Sequence, residues 1–415
     1  MVPWRTWPAL FLLGMASGLP NPLLDVNLST WLTNAGWSTE DVLLIGYVGL
    51  PFLLKPLWAP LVDRWMLWPR LGRRRSWLVA SQVVLIAGLC GMAAAGSDAR
   101  ALLIGAACLA AVASATQDLA FNAATAEVVP ADRLGLAVAL SVWGYRAAMV
   151  VATALAPALA SGAELFGWHL PRLGWGVAYL IMGLLLIPGL LASLLLPEPI
   201  AVRPPTSLAE AYVQPITAWI ADFGGRKAFI LLVVVVYFKL ADQLAAPGIS
   251  RFLAERFDPV LLGVARAGTL PAAAIGAALA AGVSLRFGLP ASMWIGGVAM
   301  ALSNLCYWAI AGGVWTGPAA LHATLWSDTI CGSMASTAFV AWLMARCRPG
   351  LAATQYALLS ALSTLARFLA LPFLAAVILH WGWGGYFLLT IAAAVPGLLV
   401  LRLAMPSVAT PKTQV

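Results

Sequence analysis

An all-α polytopic membrane protein, with twelve transmembrane helices as two six-helix halves, is the fold the sequence predicts. Hydrophobic residues make up 62% of the 415 and charged residues only 10%, far from the roughly 25% charged of a soluble domain. Uncharged stretches of about 20 residues, the length that crosses a ~30 Å hydrocarbon core, recur along the whole chain. The second half also echoes the first, so the stretches group as six and six.

The first expected span, 8–33, is interrupted by GMASGLPNP (14–22) and carries Asp25 near its outer end. The second, 41–62, contains the breaker-rich GLPFLLKPLWAP (49–60) and Lys55. The third is 77–96, and the fourth, 101–129, has a polar stripe in which Ser114, Asp118, Asn122 and Thr125 share one helical face through i, i+4, i+7 spacing. The fifth, 134–162, holds Trp143 and Arg146; the sixth is 174–197. Residues 198–226 form the one long polar, proline-rich stretch, so the chain divides into an N-terminal half 1–197, a cytoplasmic linker 198–226 with a short surface helix, and a C-terminal half 227–415. In that second half the spans are 227–253, with Lys239, Asp242 and a break at Pro247–Gly248, then 260–285 with Arg266, 289–313, 317–345 with Asp328, 351–380 with Arg367, and 383–405. DVLLIGYVGLP (41–51) returns as DPVLLGVARAGTLP (258–271), and Arg146 has a counterpart in Arg367. Six plus six around a central inner loop is the architecture of major-facilitator secondary transporters, whose substrate sits near the midplane between the halves.

Basic residues outnumber acidic ones, 24 to 16, which would suit nucleic acid if they gathered on one surface. They do not. With both termini in the cytoplasm, most of them, including Arg5, Arg64, Arg70, Arg73, Arg74, Arg75, Arg133, Arg203, Arg226, Lys227 and Lys412, fall in inner segments. That asymmetry follows the positive-inside rule. Charge therefore reports topology, with no nucleic-acid partner expected. Five cysteines lie scattered through apolar segments without CxxC spacing, which indicates neither a disulfide framework nor a zinc site. His169, His322 and His380 are isolated, and GxSxG, HExxH and Walker A patterns are absent from the sequence, so no enzyme and no cofactor are expected. Energy then comes from an ion gradient, and carboxylates inside the spans make the proton the expected ion.

A charge facing lipid at the bilayer centre costs about 2.5–3.5 kcal/mol or more, so those inside spans face the protein interior and mark function or a fixed pair. Arg146 lies at a depth suited to pair with Asp118, which would neutralise both; alternatively the two line the cavity as proton carrier and anion-binding group. Lys239 and Asp242, at i, i+3, are either an intrahelical ion pair or a substrate or coupling site. Gln117, Asn122, Arg367, Asp25 and Trp143, the last an aromatic wall three residues from Arg146, complete the candidate set. Most of the 19 tryptophans, among them Trp4, Trp31, Trp37, Trp175 and Trp383, fall at span ends, where indoles anchor at the membrane interface.

PLWAPLVDRW (56–65) followed by GRRRSW (72–77) resembles the second-to-third-span signature of AmpG-type permeases, a branch of the major facilitator superfamily. GMASGLP (14–20), SATQDLAFNAA (114–124), WGYRAAM (143–149), CGSMASTAFVAWLM (331–344) and ATQYALLSALS (353–363) resemble the same family in order along nearly the whole chain. The resemblance implies a monomeric, multi-pass transporter of the bacterial inner membrane, in contact with lipid and moving a small-molecule solute. It also implies a gating loop built from Asp63, Arg64, Gly72, Arg73 and Arg74. In AmpG the fourth span typically reads SxxQDIxxDA, with a second acid where this sequence has Asn122. The chain is also shorter than many AmpG proteins and is most similar to short ferri-siderophore importers of the FptX type, which take up ferripyochelin. Proton-driven ferri-siderophore import is the expected function, with anhydro-muropeptide import for cell-wall recycling as the alternative.

Overall fold

A computed structural model describes residues 2–165, 168–199 and 205–404. Arg203 and Lys412, assigned to the inner side by charge, lie outside the described residues. The architecture is all-α apart from a two-residue antiparallel pairing of Glu164–Leu165 with Trp168–His169. Helical segments follow the twelve expected spans in order, and nine helices among the described residues are long and apolar enough to cross a membrane.

Departures from smooth helices fall where the chain loses backbone donors or changes direction. The first span runs as Thr6–Gly18, Pro20–Leu24 and Val26–Asn34, turning at Asp25 (φ −119°, ψ −94°). The second is fractured into Thr39–Leu44, a 3₁₀ turn Ile45–Gly49, Leu50–Leu54, a second 3₁₀ turn Lys55–Leu57, and Ala59–Arg64. Pro51, Pro56 and Pro60 each lack an N–H for the helical ladder, and each stands in the first turn of a new element, where that N–H is not needed. Pro247–Gly248, expected to break the seventh span, instead lies inside the continuous helix Gly225–Arg256. The Tyr386 hydroxyl donates to the Leu244 carbonyl within this stretch. The last two spans run on as Ala352–Ala404, turning at Gly382 (φ 65°).

The helices form two compact units. One falls within Met1–Pro130, Leu140–Tyr212 and Pro349–Ala357, the other within Ala131–Ala139, Val213–Arg348 and Leu358–Val415. In the first unit, Leu85, Leu89 and Met92 pack with the alanine face of Arg100–Val128, and Trp31, Trp175 and Tyr179 cluster nearby. Trp31 and Trp37 are only 5% and 9% exposed, so these two are core residues and not interface anchors. Thr6–Gly18 crosses Leu134–Ser161 at glycines: a Cβ on Gly14 would stand 2.2 Å from the Ser141 carbonyl oxygen, and one on Gly144 2.0 Å from that of Phe11. Helices approach this closely in lipid only through small residues, and the crossing brings Gly18 and Asn21 alongside Tyr145. In the second unit, Ala272, Ala273, Ala277 and Ala280 lie on the buried face of Leu270–Phe287, while Phe252, Tyr307, Tyr386 and Phe387 form an aromatic core.

Candidate substrate and coupling sites

Asp118 sits mid-way along Arg100–Val128, and its cation is Lys55, not Arg146. Lys55 Nζ lies 2.7 Å from Asp118 Oδ2, with the two side chains 15% and 26% exposed. Lys55 opens the 3₁₀ turn Lys55–Leu57, and the fracture of the second span delivers it to this partner. Oδ1 of Asp118 accepts from Asn122 Nδ2 at 3.1 Å and from Ser17 Oγ at 3.4 Å. Asn122 is therefore a donor to Asp118 from one turn along the helix. A second acid at 122 would instead set two carboxylates against one ammonium. Nearby, Asn21 Nδ2 donates to the Tyr145 hydroxyl at 3.0 Å, and Trp58 Nε1 donates to Thr116 Oγ1 at 3.1 Å.

Arg146 has no carboxylate within ion-pair reach among the described residues; its Nη1 approaches Met149 Sδ at 3.9 Å and its Nε is buried without a hydrogen-bond partner. The expected Asp118–Arg146 pair is thus corrected. What remains is a guanidinium with donors to spare. Trp143 is 40% exposed. Gln117 is fully buried, with neither amide atom hydrogen-bonded, so it faces packed helix rather than open space. Asp25 is exposed at the turn of the first span and lines a cavity of about 360 Å³ with Asn21, Ser29, Phe52, Met149 and Thr153.

The second-to-third-span loop builds a separate buried charge cluster. Arg74 Nη2 lies 2.7 Å from Asp63 Oδ1 and 2.5 Å from Glu127 Oε1, while its Nε donates to Glu127 Oε2 at 2.9 Å, all three side chains being 1% exposed. Such a two-pronged contact uses the planar fork of arginine. Asp63 also accepts from the backbone N–H of Ala353 and Thr354 and from the Thr354 hydroxyl at 2.6 Å. Its carboxylate thereby caps the positive N-terminal end of Ala352–Ala404. Arg73 Nη1 donates to the Asp63 carbonyl at 2.8 Å, and Arg64 Nη2 to the Thr206 carbonyl at 3.0 Å. Glu198 caps the start of Arg73–Ala95, accepting from Arg74 N at 2.8 Å and Arg75 N at 3.0 Å. Gly72 (φ 85°) permits the approach, since a Cβ there would stand 2.5 Å from the Glu198 side chain.

In the second unit, Lys239 Nζ binds Asp242 Oδ2 at 2.8 Å and Ser336 Oγ at 2.8 Å. The intrahelical pair is therefore formed, and it is shared with the helix Gly317–Met344. Arg367 falls within Ala352–Ala404, its side chain outside what is described.

Lys55, Glu127, Glu198 and Thr354 were not among the sequence-derived site residues. Lys55 and Glu127 carried the signal of a charge in or beside an apolar span. Glu198 and Thr354 carried none, because their partners are 124 and 291 residues away.

Helical segments that follow twelve spans, with ion pairs held inside them, define a secondary transporter of the membrane. The chain belongs to the Major Facilitator Superfamily, which it matches over residues 6–371. Among its relatives, the anhydromuropeptide permease of Escherichia coli (strain K12) is 36% identical over 401 residues, covering 94% of this chain and 78% of the permease. Putative transporter AmpG 4 of Rickettsia conorii is 27% identical, with 94% of each chain covered. The resemblance to AmpG-type permeases is thereby borne out. Of solved structures, the transporter FucP in its outward conformation has a TM-score of 0.71 at 12% identity, covering 96% of this chain and 98% of that one. A bacterial homologue of the iron transporter ferroportin, outward-facing with soaked iron, has a TM-score of 0.63 at 16% identity, covering 97% and 99%. At these identities the two structures share the fold alone.

Proposed function

We propose that the protein imports anhydro-muropeptide solutes across the bacterial inner membrane, driven by the proton gradient. The observation that carries this reading is the 36% identity, over 94% of the chain, with a permease named for that solute class. The geometry fits the chemistry of such a solute. Peptide carboxylates suit a guanidinium whose donors are not engaged by a protein carboxylate, which is the state of Arg146. Sugar hydroxyls suit the amide and hydroxyl groups of Asn122 and Ser17 on Asp118 and of the neighbouring Asn21–Tyr145 pair. The ferri-siderophore reading has no comparable support, since the relatives above are a muropeptide permease and a putative AmpG transporter, and likeness to a ferroportin homologue is a likeness of fold.

Uptake into proteoliposomes under an imposed pH gradient tests the proposal. Labelled anhydro-muropeptide is expected to accumulate and to stop doing so when an uncoupler is added. Accumulation of radioiron-loaded ferripyochelin instead would overturn the muropeptide reading in favour of the siderophore one.

A further inference from the structure

Three carboxylates inside the spans differ in what holds them. Asp118 is bound by Lys55 at 2.7 Å and Asp242 by Lys239 at 2.8 Å. Asp328, on Gly317–Met344, has no cation within ion-pair distance among the described residues. Its Oδ2 accepts from the Tyr307 hydroxyl at 3.0 Å and its Oδ1 from Ser303 Oγ at 3.4 Å. It also lines a cavity of about 260 Å³ with Asp242, Ser250, Arg266 and Asn304. That is room for several waters, each of which needs roughly 30 Å³ of liquid volume and two to four polar partners.

The difference decides which group can exchange a proton at least cost. A proton arriving on Asp118 or Asp242 abolishes an ion pair and leaves a lysine ammonium inside the membrane without its counter-charge. A proton arriving on Asp328 forms an O–H bond on one carboxylate oxygen, removes one charge and strands nothing. The Tyr307 hydroxyl can reorient to accept from the acid or donate to the carboxylate, and Ser303 Oγ, whose proton reaches the Met300 carbonyl at 2.8 Å, keeps lone pairs for the acid. Asp25 also lacks a cation but is exposed, where solvent already stabilises its charge.

The groups facing Asp328 are few. Asp242 comes from Gly225–Arg256, Arg266 from Pro259–Ala267, Tyr307 and Cys306 from Leu289–Ala311, and Cys331 from its own helix. Leu270–Phe287 packs against the same helix with a single charge, Arg286, at its far end. Arg266 and Asp242 stand across the cavity, where they set the field in which the proton moves without closing a bond to Asp328.

We propose that Asp328 is the group that takes up and releases the coupled proton, with Tyr307 as its positioning residue and the cavity as its access. This rests on the proton-driven reading above, so its test has one arm that needs no solute. Infrared difference spectra of the purified full-length protein across a pH titration report the carbonyl stretch of a protonated carboxyl. A titrating band is expected that disappears in Asp328→Asn, persists at a shifted frequency in Asp328→Glu and moves in Tyr307→Phe. A band unchanged in Asp328→Asn overturns the assignment. If that variant does not fold, the Tyr307→Phe spectrum decides, because a band of unchanged frequency shows that the titrating carboxyl is not the one Tyr307 touches. The second arm uses proteoliposomes and labelled anhydro-muropeptide. Asp328→Asn is expected to keep solute exchange at equal pH and to lose accumulation under a pH gradient; retained accumulation overturns the proposal. Absence of any muropeptide movement in the unmodified protein refutes the solute reading and leaves the infrared arm to decide on Asp328.

Discussion

Removing the Lys55 ammonium would leave the Asp118 carboxylate to the Asn122 amide and the Ser17 hydroxyl alone. A lone charge at that depth is costly, whereas removing both members of a pair strands nothing. Lys55→Ala is therefore expected to lower the melting temperature in detergent and to stop transport, while Lys55→Ala with Asp118→Asn recovers part of the stability. A coupling of roughly 0.5–3 kcal/mol is expected for side chains in contact; strictly additive losses would show that the pair contributes nothing. Arg146 calls for the opposite pattern. With no carboxylate holding it among the described residues, Arg146→Lys should leave the melting temperature unchanged and reduce muropeptide uptake, because an ammonium cannot make the two parallel contacts of a guanidinium. Unaltered uptake would remove Arg146 from the solute site. That Asp118 faces the protein interior was legible in the sequence, since a charge facing lipid in an apolar span is costly. Which partner it takes was not, because Lys55 and Arg146 both lie in spans and only the fracture of the second span puts Lys55 within 2.7 Å.

Spans are the level at which the sequence read best. Hydropathy marks them because each must bury some 20 residues in hydrocarbon, and the twelve observed segments begin and end near their expected places. Backbone continuity inside them read less well. Proline-rich 49–60, with Pro51, Pro56 and Pro60, breaks as its composition suggests, but the single Pro247 leaves its helix continuous. The loop before the third span was legible as a family signature, yet its buried network was not, since Asp63, Glu127, Glu198 and Thr354 are brought together only by folding. Gly72 tests how tightly that network is built. Gly72→Ala places a Cβ against Glu198 and forces an L side chain to φ 85°, a strain of about 1–3 kcal/mol. The expected result is a lowered melting temperature that Glu198→Ala relieves at most in part, because shortening Glu198 removes the clash but not the backbone strain, and it also removes the cap on Arg74 N and Arg75 N. Full recovery in the double variant would place the whole cost in the clash, and no loss in Gly72→Ala would mean that the loop adopts another conformation.

At the scale of the whole molecule the two units use their charges differently. Both units hold a lysine–aspartate pair, yet Lys55 reaches across to another helix for Asp118, while Lys239 finds Asp242 one turn along its own helix and adds Ser336. Orientation follows from a cruder property, the placement of arginine and lysine. An even number of spans puts both ends on one side, and we propose from the basic stretch Arg70, Arg73, Arg74 and Arg75 that this side is the cytoplasm. A fluorescent protein fused at the C-terminus is accordingly expected to fluoresce, and alkaline phosphatase fused at the same place to stay inactive, since the one folds in the cytoplasm and the other needs the oxidising periplasm for its disulfides. Active phosphatase would invert the protein. The Asp63–Arg74–Glu127 cluster, at the end of the spans that carries the basic stretch, would then face the periplasm.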